Sequence, residues 1–397
     1  MHPSDFSDEI RGCVVRTPAG YWAFVPRPLP PPIELTWTLV KRLSEADRAL
    51  AELGGTARNL PNPRLLMFPF IRREAVLSSR IEGTQASLSD LFFFEASETA
   101  PRIGSRRPGE DVHEVANYVR AMNHGLRRLD KLPLSLRLIR ELHESLMAGV
   151  RGEQQPPGQF RVRQNWIGPP GCALIDAVFV PPPLTEMAEA LDAFEKYLHA
   201  PSDLPPLVRM ALIHYQFEAI HPFSDGNGRV GRLLISLMLC HDALLPQPLL
   251  YLSAFFERHR DDYYRRLLAV SQAAQWADWI DFFLAGVAEQ SNDAVRRAAS
   301  LLDLWQGYRG RVARARASAL LPRMVDMLFE GPVITIPEVA RRLGITHRAA
   351  SLNVGKLVDQ GMIAEVSGRE RNKVFVAQGI IDAIEAPLPA PESSKRP

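Results

Sequence analysis

The segment 221–232, with the sequence HPFSDGNGRVGR, constrains the fold of this chain more than any other stretch. Apolar residues recur at helical spacing before it, up to Ile220, and after it, from Val230 to Met238, so the segment joins two core helices. Gly226 and Gly228 fall where the second helix begins. Glycines allow positive φ and close approach, and the free N–H groups of a helix N-terminus favour anions. The segment therefore predicts a phosphate-binding turn in a mainly helical fold.

The charged side chains of the segment indicate which chemistry this turn supports. Asp225 would repel a phosphate unless a divalent cation, most simply Mg²⁺, lies between them. His221 carries an imidazole whose ordinary pKa of about 6.5 suits proton abstraction from a hydroxyl near neutral pH. Taken singly, Asp225 also fits a helix N-cap, and His221 a buried core histidine. Their combination with two arginines, Arg229 and Arg232, favours a nucleotide site.

The segment fills every position of the pattern His-x-Phe-x-Asp-Gly-Asn-Gly-Arg-x-x-Arg, which resembles the signature of Fic-domain proteins. The resemblance implies a Fic helical core that transfers AMP from ATP to a hydroxyl side chain of a target protein, with Mg²⁺ bound and pyrophosphate released. It assigns His221 as the general base and Asp225 as the metal ligand. The other assignments are Gly226, Asn227 and Gly228 for the phosphate nest, Arg229 for a phosphate, Arg232 for the γ-phosphate and Phe223 for the buried anchor of the loop.

A second motif lies in the mainly helical N-terminal region. Ser78 and Glu82 are four residues apart and share one face of a helix that Gly83 can end. Alone, these residues also fit a polar surface stripe with a glycine cap. Ser-x-x-x-Glu-Gly, however, resembles the inhibitory motif of Fic proteins that carry their inhibitory helix before the catalytic domain. The resemblance implies that Glu82 pairs with Arg232 where a γ-phosphate would otherwise bind.

Two further features complete the predicted catalytic domain. Residues 158–183 contain two short apolar runs separated by a Pro-Pro-Gly turn, which predict a small β-hairpin. It resembles the Fic flap, which would hold a target segment by strand addition; a hairpin that only covers the core is the alternative. Tyr263 and Tyr264 follow each other on a later helix, and one of them can stack on a nucleobase. We assign that role to Tyr263, although most such aromatic pairs belong to a core.

The C-terminal region predicts a separate module. Thr335 and Glu338 form a capping box at the start of one helix, Thr346 starts the next, and two short strands follow, which together resemble a winged helix-turn-helix. Candidates for contact with DNA are His347, Arg348, Ser351 and Asn353 on the third helix, and Arg369, Arg371 and Lys373 in the wing. Such modules bind double-stranded DNA or serve as dimerisation and docking platforms, so both DNA and a homodimer stay open.

The predicted organisation has five parts. They are an N-terminal region with the inhibitory helix (1–104), the Fic catalytic domain (105–290), a linker helix (291–320), the winged helix-turn-helix (321–380) and a disordered tail (381–397). The chain of 397 residues has a net charge of +2, which favours no partner. Its three cysteines offer no disulfide framework, and no signal peptide or apolar run of the ~20 residues needed to span a bilayer is present. We therefore expect a cytoplasmic protein without a membrane partner.

Three functions remain open from the sequence. The first is AMP transfer to a target protein, or to the chain itself, with Glu82 as an inhibitor. The second is removal of AMP from a modified protein, with Glu82 positioning water, because the Fic family runs in both directions. The third is a DNA-binding regulator with the Fic site as a sensor. The complete signature argues against a vestigial site.

Overall fold

The computed structural model describes residues 1–59, 62–99, 109–150, 156–314, 318–368 and 372–386. Most of these residues are helical, which confirms the predicted mainly α fold. The helices up to the C-terminal module are α1 (Trp37–Arg58), α2 (Arg64–Ile81), α3 (Leu88–Thr99), α4 (Glu110–Leu129), α5 (Leu136–Leu146), α6 (Leu184–His199), α7 (Pro206–Ile220), α8 (Asn227–His241), α9 (Ser253–Arg258), α10 (Arg260–Ala273) and α11 (Trp276–Arg314).

Helices α7 and α8 form the centre of the fold, as the spacing of their apolar residues predicts. Nearly every side chain of both helices is buried. Helices α4 and α5 pack against α8, whereas α6, α10 and α11 pack against α7. Burial on all sides removes most apolar area of this helix pair from water, which stabilises it by about 25 cal/mol per Å². The loop between α7 and α8 is therefore held on a rigid support.

The predicted β-hairpin flap is reduced to one bridge. Ile167 exchanges backbone hydrogen bonds with Phe179, at 2.8 and 3.1 Å, and no longer ladder forms in the described part of this segment. A strand pair that the sequence did not predict lies nearby, between β1 (Val14–Arg16) and β2 (Trp22–Phe24). The N–H of Phe24 donates to the carbonyl of Val180 at 2.9 Å, so this N-terminal hairpin supports the flap.

The C-terminal module has the three predicted helices followed by the two predicted strands, and also a strand before the second helix and a final helix that the sequence did not predict. Its elements are α12 (Leu320–Glu330), β3 (Val333–Thr335), α13 (Ile336–Leu343), α14 (His347–Asp359), β4 (Ala364–Glu365), β5 (Val374–Val376) and α15 (Gln378–Glu385). The strands form one antiparallel sheet in the order β3-β5-β4. Thr335 Oγ1 accepts the N–H of Glu338, and Thr346 Oγ1 that of Ala349, so both predicted N-caps are present. The winged helix-turn-helix is confirmed.

The predicted DNA-contacting side chains divide into two groups. His347, Arg348 and Ser351 are exposed on α14, and Lys373 is exposed before β5. Asn353 is buried instead, and its Nδ2 donates to the carbonyl of Ala349 at 2.8 Å, which corrects its assignment as a reader. The wing residues Arg369 and Arg371 lie outside the described residues.

The module does not stand apart from the rest of the molecule. Helix α11 runs unbroken across the predicted boundary between residues 290 and 291. Helices α12 and α15 pack against α2, and β3 packs against α3. Helix α15 buries Ile381 and Ile384, so the predicted disordered tail begins with a packed helix; residues 387–397 lie outside the description. No helix in the described ranges is long and apolar enough to cross a membrane.

Candidate active site

The loop between α7 and α8 is pinned by one amide side chain. Asn227 Oδ1 accepts the N–H of Phe223, and Asn227 Nδ2 donates to the carbonyl of the same residue, both at 2.8 Å. Phe223 is fully buried and stacks on the ring of His143, with centroids 3.8 Å apart. Phe223 is thus placed as the predicted anchor. The amide of Asn227 closes the loop, whereas the sequence placed this residue in the phosphate nest.

His143 supports the loop from α5. Its Nδ1 accepts the N–H of Gly158 at 2.9 Å, so Nε2 carries the proton and donates to the carbonyl of Asp225 at 3.1 Å. Burial lowers the pKa of His143 to about 4, which keeps the ring neutral. No motif in the sequence marks this residue, whose only signal is a polar side chain on the apolar stripe of α5.

His221 ends α7 in a left-handed conformation, with φ of 50°. Its Nδ1 lies 3.2 Å from the carbonyl of Glu218, and a carbonyl can only accept, so Nδ1 carries the proton. Nε2 is therefore the acceptor of the neutral ring. Burial lowers the pKa of His221 to about 4. A neutral imidazole with an unprotonated Nε2 is in the form that can accept a proton at neutral pH.

Two side chains of the flap segment hold His221 and the loop from the other side. Arg161 donates through Nε to the carbonyl of His221 at 3.1 Å and through Nη2 to that of Pro182 at 2.6 Å. Asn165 Nδ2 donates to the carbonyl of Phe223 at 2.9 Å. No motif marks either residue in the sequence, because the carbonyls of His221 and Phe223 that they contact lie more than fifty positions away.

Asp225 is suited to a metal that the substrate helps to hold. Its side chain is 71% exposed, and Oδ1 accepts the N–H of Gly226 at 2.6 Å. In the described part of the chain, no group of three or more His, Cys, Asp or Glu side chains can enclose a cation. Mg²⁺ commonly takes only one or two carboxylates and completes its shell with water and phosphate oxygens. One open carboxylate beside a phosphate nest fits that pattern.

Arg229 is buried between two carboxylates. Its Nη1 donates to Glu114 Oε2 at 2.7 Å, and its Nη2 lies 3.7 Å from Asp225 Oδ2. Burial raises the pKa of Glu114, although Arg229 opposes that shift. Arg229 was predicted to contact a phosphate. The structure places it behind Asp225, with its positive charge facing that carboxylate.

Arg232 is held by the helix that carries the second motif. Its Nε donates to Ser78 Oγ at 2.8 Å, and its Nη2 donates to the carbonyl of Ser78 at 3.0 Å and to Glu82 Oε1 at 2.6 Å. Arg232 is 2% exposed, whereas the side chain of Glu82 is 34% exposed. Burial would raise the pKa of Glu82, but Arg232 holds it below its ordinary value. The two motifs of the sequence therefore meet.

Glu82 reaches the first turn of α8. A Cβ at Gly228 would lie 2.4 Å from Glu82 Oε1 and 2.9 Å from Arg232 Nη1. The carboxylate thus occupies the space that the glycine leaves open, next to the N–H groups that the first helical turn leaves unpaired. Gly83, at φ of 104°, ends the path of α2 directly after Glu82. This turn allows the Glu82 carboxylate to reach Gly228. An anion already sits where the sequence predicts phosphate.

The two consecutive tyrosines of α10 face different surroundings. Tyr263 is 1% exposed, and its hydroxyl lies 2.8 Å from Nε2 of the buried His214. Its ring also packs on Phe256, with centroids 4.5 Å apart. The assignment of Tyr263 to the nucleobase does not fit this position, because the ring is part of the core. Tyr264 is 40% exposed and lies close enough to Glu82 to interact electrostatically with its carboxylate.

Comparisons with known proteins match three ranges of this chain to known families. Residues 40–127 match the Fic/DOC family N-terminal region, residues 133–239 the Fic/DOC family and residues 321–381 an HTH DNA binding domain. Protein adenylyltransferase Fic of Drosophila virilis is 29% identical over 233 residues, which cover 56% of this chain and 40% of the relative. Its namesake in Drosophila erecta is 34% identical over 113 residues, which cover 28% and 21% of the two chains. The chain spans less than half the length of these relatives.

A solved structure shows the same fold. The crystal structure of a Fic family protein from Desulfovibrio desulfuricans G20 superposes with a TM-score of 0.54, over 88% of this chain and 98% of that one. The two sequences are 20% identical over the match, so the likeness concerns the fold alone.

Proposed function

We propose that this chain transfers AMP from ATP to a hydroxyl side chain of a protein, because residues 40–127 and 133–239 match the Fic/DOC family and residues 321–381 match an HTH DNA binding domain. The observation that carries the proposal is the hydrogen bond between His221 Nδ1 and the carbonyl of Glu218. It leaves a neutral Nε2 as the acceptor, beside a helix N-terminus suited to phosphate.

The reaction exchanges one phosphorus–oxygen bond for another. The target hydroxyl oxygen attacks the α-phosphorus while its proton passes to His221 Nε2. The bond from the α-phosphorus to the bridging oxygen breaks, and pyrophosphate leaves with the electron pair of that bond. Arg161 and Asn165 keep His221 in place through its carbonyl and that of Phe223. The chain's part is thus positioning and proton transfer, which is typical of phosphoryl-type transfers.

Asp225 would hold Mg²⁺ together with the phosphates of ATP, and the metal would neutralise charge on the departing pyrophosphate. Arg229 lies behind Asp225, and Glu114 balances the charge of Arg229. The first turn of α8, with Gly226 and Gly228, offers N–H donors to the phosphates. Arg232 is the donor left for the γ-phosphate once Glu82 withdraws.

The resting protein is proposed to be inhibited by Glu82. Its carboxylate occupies Arg232 Nη2 and the space over Gly228, so the γ-phosphate of ATP meets a negative charge where it needs donors. Removal of AMP from a modified protein is the second candidate function. The partial exposure of Glu82 beside the phosphate nest favours it, because the same carboxylate can orient a water molecule there. Modification of a target protein, binding of duplex DNA and self-association are proposals for the whole chain.

The experiment is an incubation of the purified protein with α-labelled ATP, Mg²⁺ and a cell lysate. The Glu82→Gly variant should transfer label to protein, and Glu82→Gly with His221→Ala should lose about 10² to 10⁴ in rate, the usual contribution of a positioned base. His199→Ala, at an exposed histidine of α6, is the matched control and should match Glu82→Gly alone when combined with it. Equal rates with and without His221 would reject the proposed base.

A further inference from the structure

Helix α2 lies between two parts of the molecule. On one side it contacts α4, α8 and α9 of the catalytic domain, where Ser78 and Glu82 reach Arg232. On another side it contacts α12 and α15 of the C-terminal module. After Gly83 the chain continues into α3, which contacts β3 of the same module. The module therefore touches the helices on both sides of Glu82.

A buried charge cluster fastens this contact. Arg297 of α11 donates through Nε to Asp293 at 2.8 Å, and through Nη1 and Nη2 to the carbonyls of Ile384 and Ala386, both at 2.7 Å. Asp293 also lies 3.6 Å from Nη2 of Arg73, which belongs to α2. The side chains of Asp293 and Arg297 are 5% and 6% exposed. Arg297 thus joins the end of α15 to α2 through one shared carboxylate.

The forked guanidinium of Arg297 donates to carbonyls at the end of helix α15. The last carbonyls of a helix have no partner within it and carry partial negative charge, so a buried guanidinium satisfies and attracts them. A buried charge that loses its partner is strongly destabilising, because it is not compensated by water. The cluster is shielded from water and therefore holds α15, α11 and α2 together.

We propose that the C-terminal module has a second role as a clamp that holds α2 against the catalytic domain and so keeps Glu82 on Arg232. Movement of the end of α2 would carry Glu82 away from Arg232, and the contacts of α2 with α12 and α15 oppose that movement. The inference rests on the proposed function, because it concerns what maintains inhibition of the same site.

The test weakens the cluster without touching the active site. Arg297→Gln removes the charge, and Arg297→Lys keeps it but loses the fork; both should raise the initial AMP-transfer rate of the full chain. We expect about 2- to 30-fold, the range that mutations along coupling networks give. Arg42→Gln is the control. Arg42 pairs at 3.0 Å with Asp281, which lies on α11, as Arg297 does, but away from the module. The control should leave the rate unchanged.

Combination with Glu82→Gly decides the mechanism. If the clamp acts through Glu82, Arg297→Gln adds nothing to the rate of Glu82→Gly, because interacting sites are not additive. The clamp is rejected if Arg297→Gln and Arg297→Lys are no faster than the parent while Glu82→Gly is faster, or if the two effects multiply. Should no variant transfer AMP, the proposed function fails instead. Hydrogen exchange of the backbone amides of residues 74–82 then tests the clamp alone. The clamp requires faster exchange of these amides in Arg297→Lys than in Arg42→Gln.

Discussion

At the scale of single residues, the pair of Glu82 and Arg232 decides whether a γ-phosphate finds its donors. A charge-assisted hydrogen bond of this kind contributes roughly 1.5 to 3 kcal/mol, or about ten- to a hundredfold in a competing equilibrium. The partial exposure of Glu82 favours the lower end of that range. Glu82→Gly should therefore raise the AMP-transfer rate about tenfold or more at saturating ATP.

Arg232→Ala is the informative partner of that variant. It removes the inhibitory contact and the phosphate donor together, so it should not reproduce the gain of Glu82→Gly. If Glu82→Gly is no faster than the parent, Glu82 is not an inhibitor. If the variant loses only the release of AMP from a modified protein, Glu82 belongs to the hydrolytic reaction.

The lowered pKa of His221 gives a second prediction. The base acts in its neutral form, and its pKa is about 4 in the fold, so protonation removes activity only as the pH falls through about 4. A free imidazole would lose its activity near its ordinary pKa of about 6.5. In the Glu82→Gly variant, the transfer rate at saturating ATP and Mg²⁺ should change little between about pH 7.5 and about pH 5.5, which lie about one unit to either side of that ordinary pKa. A midpoint near 6.5, with the circular dichroism of the folded protein retained, would contradict it.

The sequence could identify the residues whose roles depend on local spacing. His221, Asp225, Ser78 and Glu82 are recognisable because a turn and one helix face bring each motif together. His143, Arg161 and Asn165 were missed, since each bonds a backbone atom that only the tertiary fold brings near. Tyr263 was assigned to the nucleobase because two adjacent tyrosines point about 100° apart on a helix, and the sequence does not say which one faces the core.

At the scale of elements, α2 carries a buried polar face that extends beyond the inhibitory motif. Glu74 lies one turn before Ser78, and its Oε1 accepts from Tyr118 at 3.0 Å and from Ser253 at 2.5 Å. Burial raises the pKa of Glu74 from 4.5 to about 7. The fold therefore favours the protonated carboxyl. Its stabilising contribution is complete below about pH 4.5 and is lost as the pH rises through about 7.

Glu74→Gln tests that linkage. The amide keeps an acceptor for Tyr118 and Ser253 but does not ionise, so the free energy of unfolding should fall less between pH 5 and 8 than in the parent, by on the order of 1 to 3 kcal/mol. Urea unfolding at both pH values measures it. Glu52→Gln, at an exposed position of α1, should follow the parent. A parent and a Glu74→Gln variant with the same pH dependence would show that Glu74 is ionised in the fold.

Helices with a long apolar repeat could be predicted from the sequence, whereas short strands could be predicted less well. Helices α7 and α8 follow directly from their apolar repeats. The flap has the composition of a hairpin, yet Ile167 and Phe179 make only one bridge, because the segment rests on side chains such as Arg161 instead of a ladder. The strand pair β1–β2 spans three residues on each side, too few for a pattern to emerge from the sequence.

At the scale of the whole molecule, sequence boundaries are not structural boundaries. The predicted linker helix is the second half of α11, whose first half packs in the catalytic domain. The predicted tail contributes Ile381 and Ile384 to the core. Both differences have one cause: burial of one module against another is a tertiary contact, and in the sequence the residues that make it have the pattern of an ordinary amphipathic helix.

Exposed basic side chains of the module fit the proposed contact with duplex DNA. Arg348 on α14 and Lys373 before β5 are exposed and point to phosphate contacts, whose release of counterions makes binding depend on salt. With a fluorescent mixed-sequence duplex, affinity of the full chain should fall steeply between about 50 and 200 mM salt. Arg348→Ala and Lys373→Ala should each reduce the slope of log affinity against log salt by about 1. Lys196→Ala, at an exposed lysine of α6, should leave the slope unchanged. Absence of binding at the lowest salt would instead favour protein docking or self-association through the module.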